Sequence, residues 1–124
     1  MELDERHAIL LGPDEGEELE GPRREIRVRY EGDEVEILEF WSEPGFGPID
    51  PHVHDDHTDS FYVLEGELEL TIGDETFRAG PGMFFAAPPG VRHGFAIQGP
   101  APARFLNIHA PGTGFIEGVR RQSR

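Results

Sequence analysis

The stretch Pro51–Gly66 reads PHVHDDHTDSFYVLEG, and its reading decides the fold. Phe61, Tyr62, Val63 and Leu64 are aromatic or branched and end at Glu65-Gly66, so they predict a buried strand closed by a turn. An extended chain from Pro51 to His54 places His52 and His54 on one face, with Val53 on the other. Two imidazoles then converge on one point. Asp59 lies in phase with Phe61 and Val63, which points its carboxylate inward.

Working outward, the same alternation continues on both sides. Ile26, Val28 and Tyr30 alternate with Glu25, Arg27 and Arg29, which predicts a half-buried strand from Arg24 with Tyr30 inward. Glu31-Gly32-Asp33 is a turn, and Val35 to Trp41 is the return strand. Ser42 to Asp50, with two Pro and two Gly around Phe46, is a loop into the histidines. After Gly66, Leu68, Leu70 and Ile72 form one face, Gly73-Asp74 turns the chain, and Thr76 to Arg78 pairs back. Met83 to Ala87, Val91 to Ile97 and Arg104 to His109 are further strands, separated by Gly- and Pro-rich turns. Before Arg24, Ala8 to Leu11 is a short strand that suits an edge or exchanged position in a dimer, followed by an acidic loop. The tail has one weak helical turn near Ile116 to Arg121. Many short strands with Gly and Pro in every connection predict an all-β barrel or sandwich. The expected organisation is an N-terminal strand and acidic loop over 1–23, a barrel over 24–110 and a tail over 111–124.

Composition excludes several chemistries. The chain has 124 residues, enough for one core, and no Cys, so thiolate sites and disulfides are absent. All 11 basic residues are Arg, so Schiff-base chemistry is also absent. Ser42, Ser60 and Ser123 have no nucleophile-elbow context. A formal charge of -14 disfavours nucleic acid and anionic membranes as partners. There is no basic-then-apolar leader and no apolar run of ~20 residues, so a soluble, cytoplasmic protein is expected. No acidic residue occurs between Thr76 and Ile116, so any carboxylate ligand comes from the first two thirds of the chain.

Gly47, His52-x-His54, Asp59 and Gly66 in one block, then Gly82, Pro88, Gly90 and His93 in a second, resemble the paired motifs of the cupin superfamily. SFYVLEGELE is similar to the same region of small single-domain cupins. The resemblance implies a cupin-type jelly-roll β-barrel with short terminal extensions and a metal at its wider mouth. His52, His54 and His93 match the family's histidine ligands, and Asp59 stands where the family usually has Glu. Asp is shorter by roughly 1.5 Å, and His57 is the alternative fourth ligand. Ile97 stands where the second motif usually ends in Asn. The interior face is also the pocket wall, so Phe46, Phe61, Val63, Phe85, Phe95 and Ile97 are the expected lining. Phe61, Phe84, Phe85, Phe95 and Phe105 are read chiefly as core. His7 and His109 are assigned no role, because nothing in the sequence places them near the cluster.

Imidazole and carboxylate ligands without sulfur suit one divalent transition metal, Fe, Mn, Ni, Zn or Cu. Asp55 or Asp56 is the expected acceptor for the second nitrogen of a ligand histidine. Two functions remain open. One is a metal-dependent enzyme acting on a small organic molecule, an oxygenase by the family's habits. The other is a non-catalytic small-molecule-binding module whose metal site is weakened or absent because Asp59 falls short. A homodimer is expected from the N-terminal strand.

Overall fold

The computed structural model describes residues 2–3 and 8–122; His7 lies outside them. Among the described residues twelve strands and one helix follow in order: β1 Glu2–Leu3, β2 Ala8–Ile9, β3 Glu18–Gly21, β4 Arg24–Glu31, β5 Glu36–Ser42, β6 Ile49–His52, β7 Thr58–Glu65, β8 Leu68–Ile72, β9 Glu75–Ala79, β10 Phe84–Ala87, β11 His93–Ala96, β12 Ala103–Ala110 and α1 Phe115–Gln122. Their order in space is β10-β7-β12-β5-β4-β3 in one sheet and β6-β11-β8-β9 in the other, antiparallel throughout. Sequence neighbours such as β6 and β7 lie in different sheets, while β7 and β12, far apart in sequence, lie side by side. This is the all-β jelly roll expected from the motifs, with the inner faces of the two sheets meeting in the core.

Strand periodicity explains the core. On β5 the inward set is Glu36, Leu38, Phe40 and Ser42, and on β12 it is Ala103, Phe105, Asn107 and His109, all buried. Cross-strand rungs carry them across the sheet: Phe40, Phe105 and Val63 form one rung, and Glu36, His109 and Asp59 form another. Phe40 and Phe105 stack at 4.9 Å, a favourable offset pair at the centre of the barrel. Gly66, after β7, has φ 74°, and a Cβ there would collide with the Pro102 carbonyl oxygen. That turn therefore requires glycine, both for its backbone angle and for the close approach.

The structure departs from the sequence reading at four places among the strands, and again in the tail. The pairing of β4 with β5 shifts between Val28 and Tyr30, and this irregularity turns Tyr30 outward to 40% exposure. Phe84 is 60% exposed on the edge strand β10, beside Tyr62 on the outer face, so it is not core; its neighbour Phe85 faces inward. The acidic loop before Arg24 contains β3, because buried Leu19 opposite Ile26 anchors it to β4. The Ala8–Leu11 segment supplies only β2, which pairs with β1 and leaves Ile9 and Leu10 exposed.

The tail forms a full helix rather than one turn. Ile116 and Val119 are buried against the barrel, Glu117 and Arg120 are half-buried beside them, and Arg121 is exposed. The buried Glu36 carboxylate accepts bonds from the Gly114 and Ile116 backbone N–H groups, capping the helix start with the negative charge it favours. Arg120 pairs with Glu17, Glu31 and Glu117 and so ties the helix to the β3–β4 side of the barrel.

Candidate functional site

His52 ends β6, His54 follows in the loop, Asp59 is the second residue of β7, and His93 opens β11. Strand pairing sets His93 opposite His52, and the loop turns His54 back over both. One ligand atom from each of the four residues then lies within 4.8 Å of every other. The individual gaps are 3.1 Å between the Nε2 atoms of His52 and His54, 3.5 Å from His54 Nε2 to Asp59 Oδ2, and 2.9 Å from His93 Nε2 to Asp59 Oδ2. Ligands ~2.1 Å from a metal are about 3.0 Å apart at right angles and about 3.4 Å apart at the tetrahedral angle. The three gaps therefore fit the edges of a coordination shell. Despite its shorter side chain, Asp59 reaches the imidazoles, because it projects inward from β7 in the six-stranded sheet toward His93 and His54 on the opposing side.

The far ring nitrogens are held by backbone, not by the acidic loop residues expected to do so. His52 Nδ1–H donates to Asp50 O at 2.9 Å, and His93 Nδ1–H donates to Val91 O at 3.0 Å. Each bond leaves the Nε2 lone pair of a neutral ring aimed at the cluster, the orientation metal-ligating histidines adopt. Asp56 instead bonds His57.

His57 and His109 form a second layer. His109 is fully buried, at 0% exposure, so its expected separation from the cluster is corrected: β12 runs beside β7 and sets it across from Asp59. Asn107 Nδ2 donates to Asp59 Oδ1 at 2.6 Å and to Ser60 O at 3.1 Å, which turns its Oδ1 toward His109. His109 Nε2–H donates to that oxygen at 2.7 Å, so in the neutral ring Nδ1 is an acceptor. His57 Nε2–H donates to it at 2.8 Å. The remaining His57 nitrogen, Nδ1, stands 2.8 Å from Asp56 Oδ1, with Thr113 Oγ1 3.2 Å away. An unbroken chain of hydrogen bonds thus runs from Asp59 to the exposed Asp56. With both nitrogens engaged, His57 belongs to this chain rather than to the four-atom cluster. Phe115 of α1 closes over it, stacked on His109 at 4.0 Å. The alternation of Phe105, Asn107 and His109 was the available sequence signal for this layer; what the sequence could not supply was which strand lay alongside.

Electrostatics follow from this geometry. Burial pushes the Asp59 carboxyl upward, but the His93 bond, the His109 charge and the Asn107 bond together outweigh it and hold it below its ordinary range. For His93, burial works against the charged ring, yet the bonds to Asp59 and Val91 leave it raised. Burial lowers His54, and neighbouring histidines add to that while Asp59 opposes it. His109 falls to about 4, chiefly by burial.

Beside the cluster opens a cavity of about 340 Å³. Its walls are mostly apolar, including Ile26, Phe40, Phe46, Phe61, Phe95 and Phe115, while His52, His54, Asp59 and Asn107 also line it. Of the expected lining, Phe46, Phe61 and Phe95 border this cavity and Val63, Phe85 and Ile97 do not. Val63 sits on the Phe105 rung inside the closed core, at 1% exposure. Ile97 lies beyond the end of β11, 2% exposed, with its backbone bonded to Phe46 and Gly45. Phe85 packs beside Phe61 and His93 from the edge strand β10. The helix α1 completes the wall with Gly118, Val119 and Gln122.

Two facing antiparallel sheets, with three histidines and a carboxylate gathered beside an apolar cavity, define a β-barrel with a candidate metal site. Residues 40–109, more than half of the chain, match the cupin domain family. The chain belongs to the cupin family. Solved structures agree on the fold. KdgF from Halomonas sp. superposes with a TM-score of 0.78 at 20% identity, over 88% of this chain and 98% of that one. An RmlC-like cupin from Shewanella frigidimarina NCIMB 400 gives 0.72 at 21%, over 90% and 95%. The polyketide cyclase RemF from Streptomyces resistomycificus gives 0.63 at 30%, over 71% of this chain and 65% of that one. No match was found among the curated proteins. Among the described residues, no helix is long and apolar enough to cross a membrane.

Proposed function

We propose that this cupin binds one divalent transition metal through His52, His54, His93 and Asp59, and acts on a small organic molecule held in the adjoining cavity. The observation that carries this reading is the convergence of four ligand atoms within 4.8 Å of one another beside an apolar space. When bound, such a metal supplies Lewis acidity and, if redox-active, the activation of dioxygen on which an oxygenase depends. The chain's own residues do the rest. Asp50 O and Val91 O fix the ring orientations of His52 and His93. Asn107 fixes the carboxylate of Asp59. The aromatic walls exclude water and orient an apolar substrate toward the imidazoles. The likeness to RemF, a polyketide cyclase, favours a second chemistry in the same cavity, ring closure of a small organic substrate. The reason for expecting a non-catalytic module was a carboxylate too short to reach, and the 2.9 Å gap from Asp59 Oδ2 to His93 Nε2 argues against it.

The test is elemental analysis of the purified protein together with its thermal stability before and after chelation. We expect close to one metal per chain, a fall in melting temperature on chelation, and loss of metal in His52→Ala. A folded protein that takes up no metal even on reconstitution would refute the proposal.

A further inference from the structure

Arg24 opens β4 in phase with the inward-facing Ile26, and its side chain borders the cavity. Among the described residues, every arginine other than Arg23 and Arg24 lies 3.8 Å or less from a carboxylate. Arg23 is exposed and bonds Pro44 O. Arg24 is half-buried, and among the described residues its guanidinium makes a single hydrogen bond, Nη1–H to Leu19 O at 3.0 Å. Burial alone moves its pKa, downward, with no acidic group opposing it. A guanidinium stays charged under such conditions, and it has more donors than one carbonyl can satisfy. In a chain with 25 acidic residues, a cation left without a carboxylate on the wall of an apolar space is a counter-ion site for something else.

Position sets the shape of that partner. Arg24 pairs with Ser42 at one end of β5, and the Asp59 rung crosses Glu36 at the other. Those rungs are about 20 Å apart at ~3.3 Å per residue, of which the arginine side chain spans about a third. Phe40 and Phe61 border the cavity on the rungs between them. We propose that the cavity takes an elongated small-molecule carboxylate, its anionic end on the Arg24 guanidinium and its apolar body along the phenylalanine walls toward His52 and His54. This rests on the reading that the cavity is the binding site.

The experiment titrates straight-chain carboxylates from butanoate to decanoate, each against the alcohol of the same length, into the metal-loaded protein by calorimetry. A medium-length acid is expected to bind at least ten-fold more tightly than its alcohol. Arg24→Met should remove that preference while leaving alcohol affinity within two-fold, and Arg24→Lys should restore part of it. The retained alcohol affinity also reports that the variants are folded. Equal affinity for acid and alcohol in the native protein overturns the carboxylate assignment and leaves the cavity reading standing. A preference that survives Arg24→Met and disappears on chelation puts the anion on the metal and overturns the role of Arg24. Failure of every acid and every alcohol to bind overturns both the inference and the cavity reading.

Discussion

Replacing Asn107 with Leu tests whether the second layer holds the cluster together. Leu has the same branching and similar volume, so the change removes polar atoms and leaves little void. Asn107 is 3% exposed, and its side chain makes three hydrogen bonds: to Asp59 Oδ1, to Ser60 O and from His109 Nε2–H. The substitution strands a carboxylate oxygen on a residue 4% exposed and an N–H on one that is fully buried. Each buried group left without a partner costs about 1–3 kcal/mol, with the charged one toward the upper end, so a loss of roughly 3–6 kcal/mol is expected. That is a large part of the ~5–15 kcal/mol that keeps a domain folded. Urea unfolding in the presence of chelator, at unchanged m-value, reads it directly. In the metal-loaded protein the same variant should bind metal about 10–100-fold more weakly, because Asp59 is no longer oriented. A double-mutant cycle with His109→Leu should show coupling above about 1 kcal/mol, since one bond joins the two side chains. A stability loss below about 1 kcal/mol, with unchanged metal affinity, would refute the claim that this network positions the carboxylate.

Three further outcomes follow from the same geometry. His109 has its folded pKa lowered to about 4 by burial, so unfolding takes up a proton once the pH drops below the ordinary value of 6.5. Its stability contribution is complete above pH 6.5 and is lost between 6.5 and 4, about 3 kcal/mol in the metal-free protein; His93, raised, has the opposite sign, its contribution being present throughout that window and lost only as the pH rises above it. His109→Gln should flatten the acid limb of a pH–stability curve, and an unchanged limb would contradict the assignment. In metal analysis, Asp59→Ala is expected to lose the ion while His57→Ala retains it near stoichiometry, because both His57 nitrogens are engaged by His109 and Asp56; the reverse pattern would make His57 the fourth ligand. Finally, the outer face of the six-stranded sheet carries exposed Phe84 and Tyr62 on paired positions, and Ile9, Leu10 and Tyr30 are exposed as well. Pairing through such apolar surface should give a light-scattering mass near twice that of one chain, and a monomer at all concentrations would exclude it.

The barrel was legible in the sequence because its strands alternate with period two and its turns are written in Gly and Pro, both local signals. Strand alternation also put His52 and His54 on one face and turned Asp59 inward, whereas His93 entered through the resemblance to the paired cupin motifs. What the sequence left dark depends on which strands lie side by side. His109 and Asn107 look like any inward pair on a last strand until β12 is placed against β7, and only then do they meet Asp59. The cavity wall is darker still. Val63 shares the rung of the cavity residue Phe40 and yet is packed inside the core, and Ile97 lies beyond the end of β11, whereas Arg24, Phe40 and Phe115 reach the space from strands and a helix distant in sequence. Periodicity reports which face of a strand a residue occupies. Whether that face meets packed core, open cavity or a hydrogen-bonding partner is decided by the neighbouring strand across the barrel, and that is a property of the tertiary structure alone.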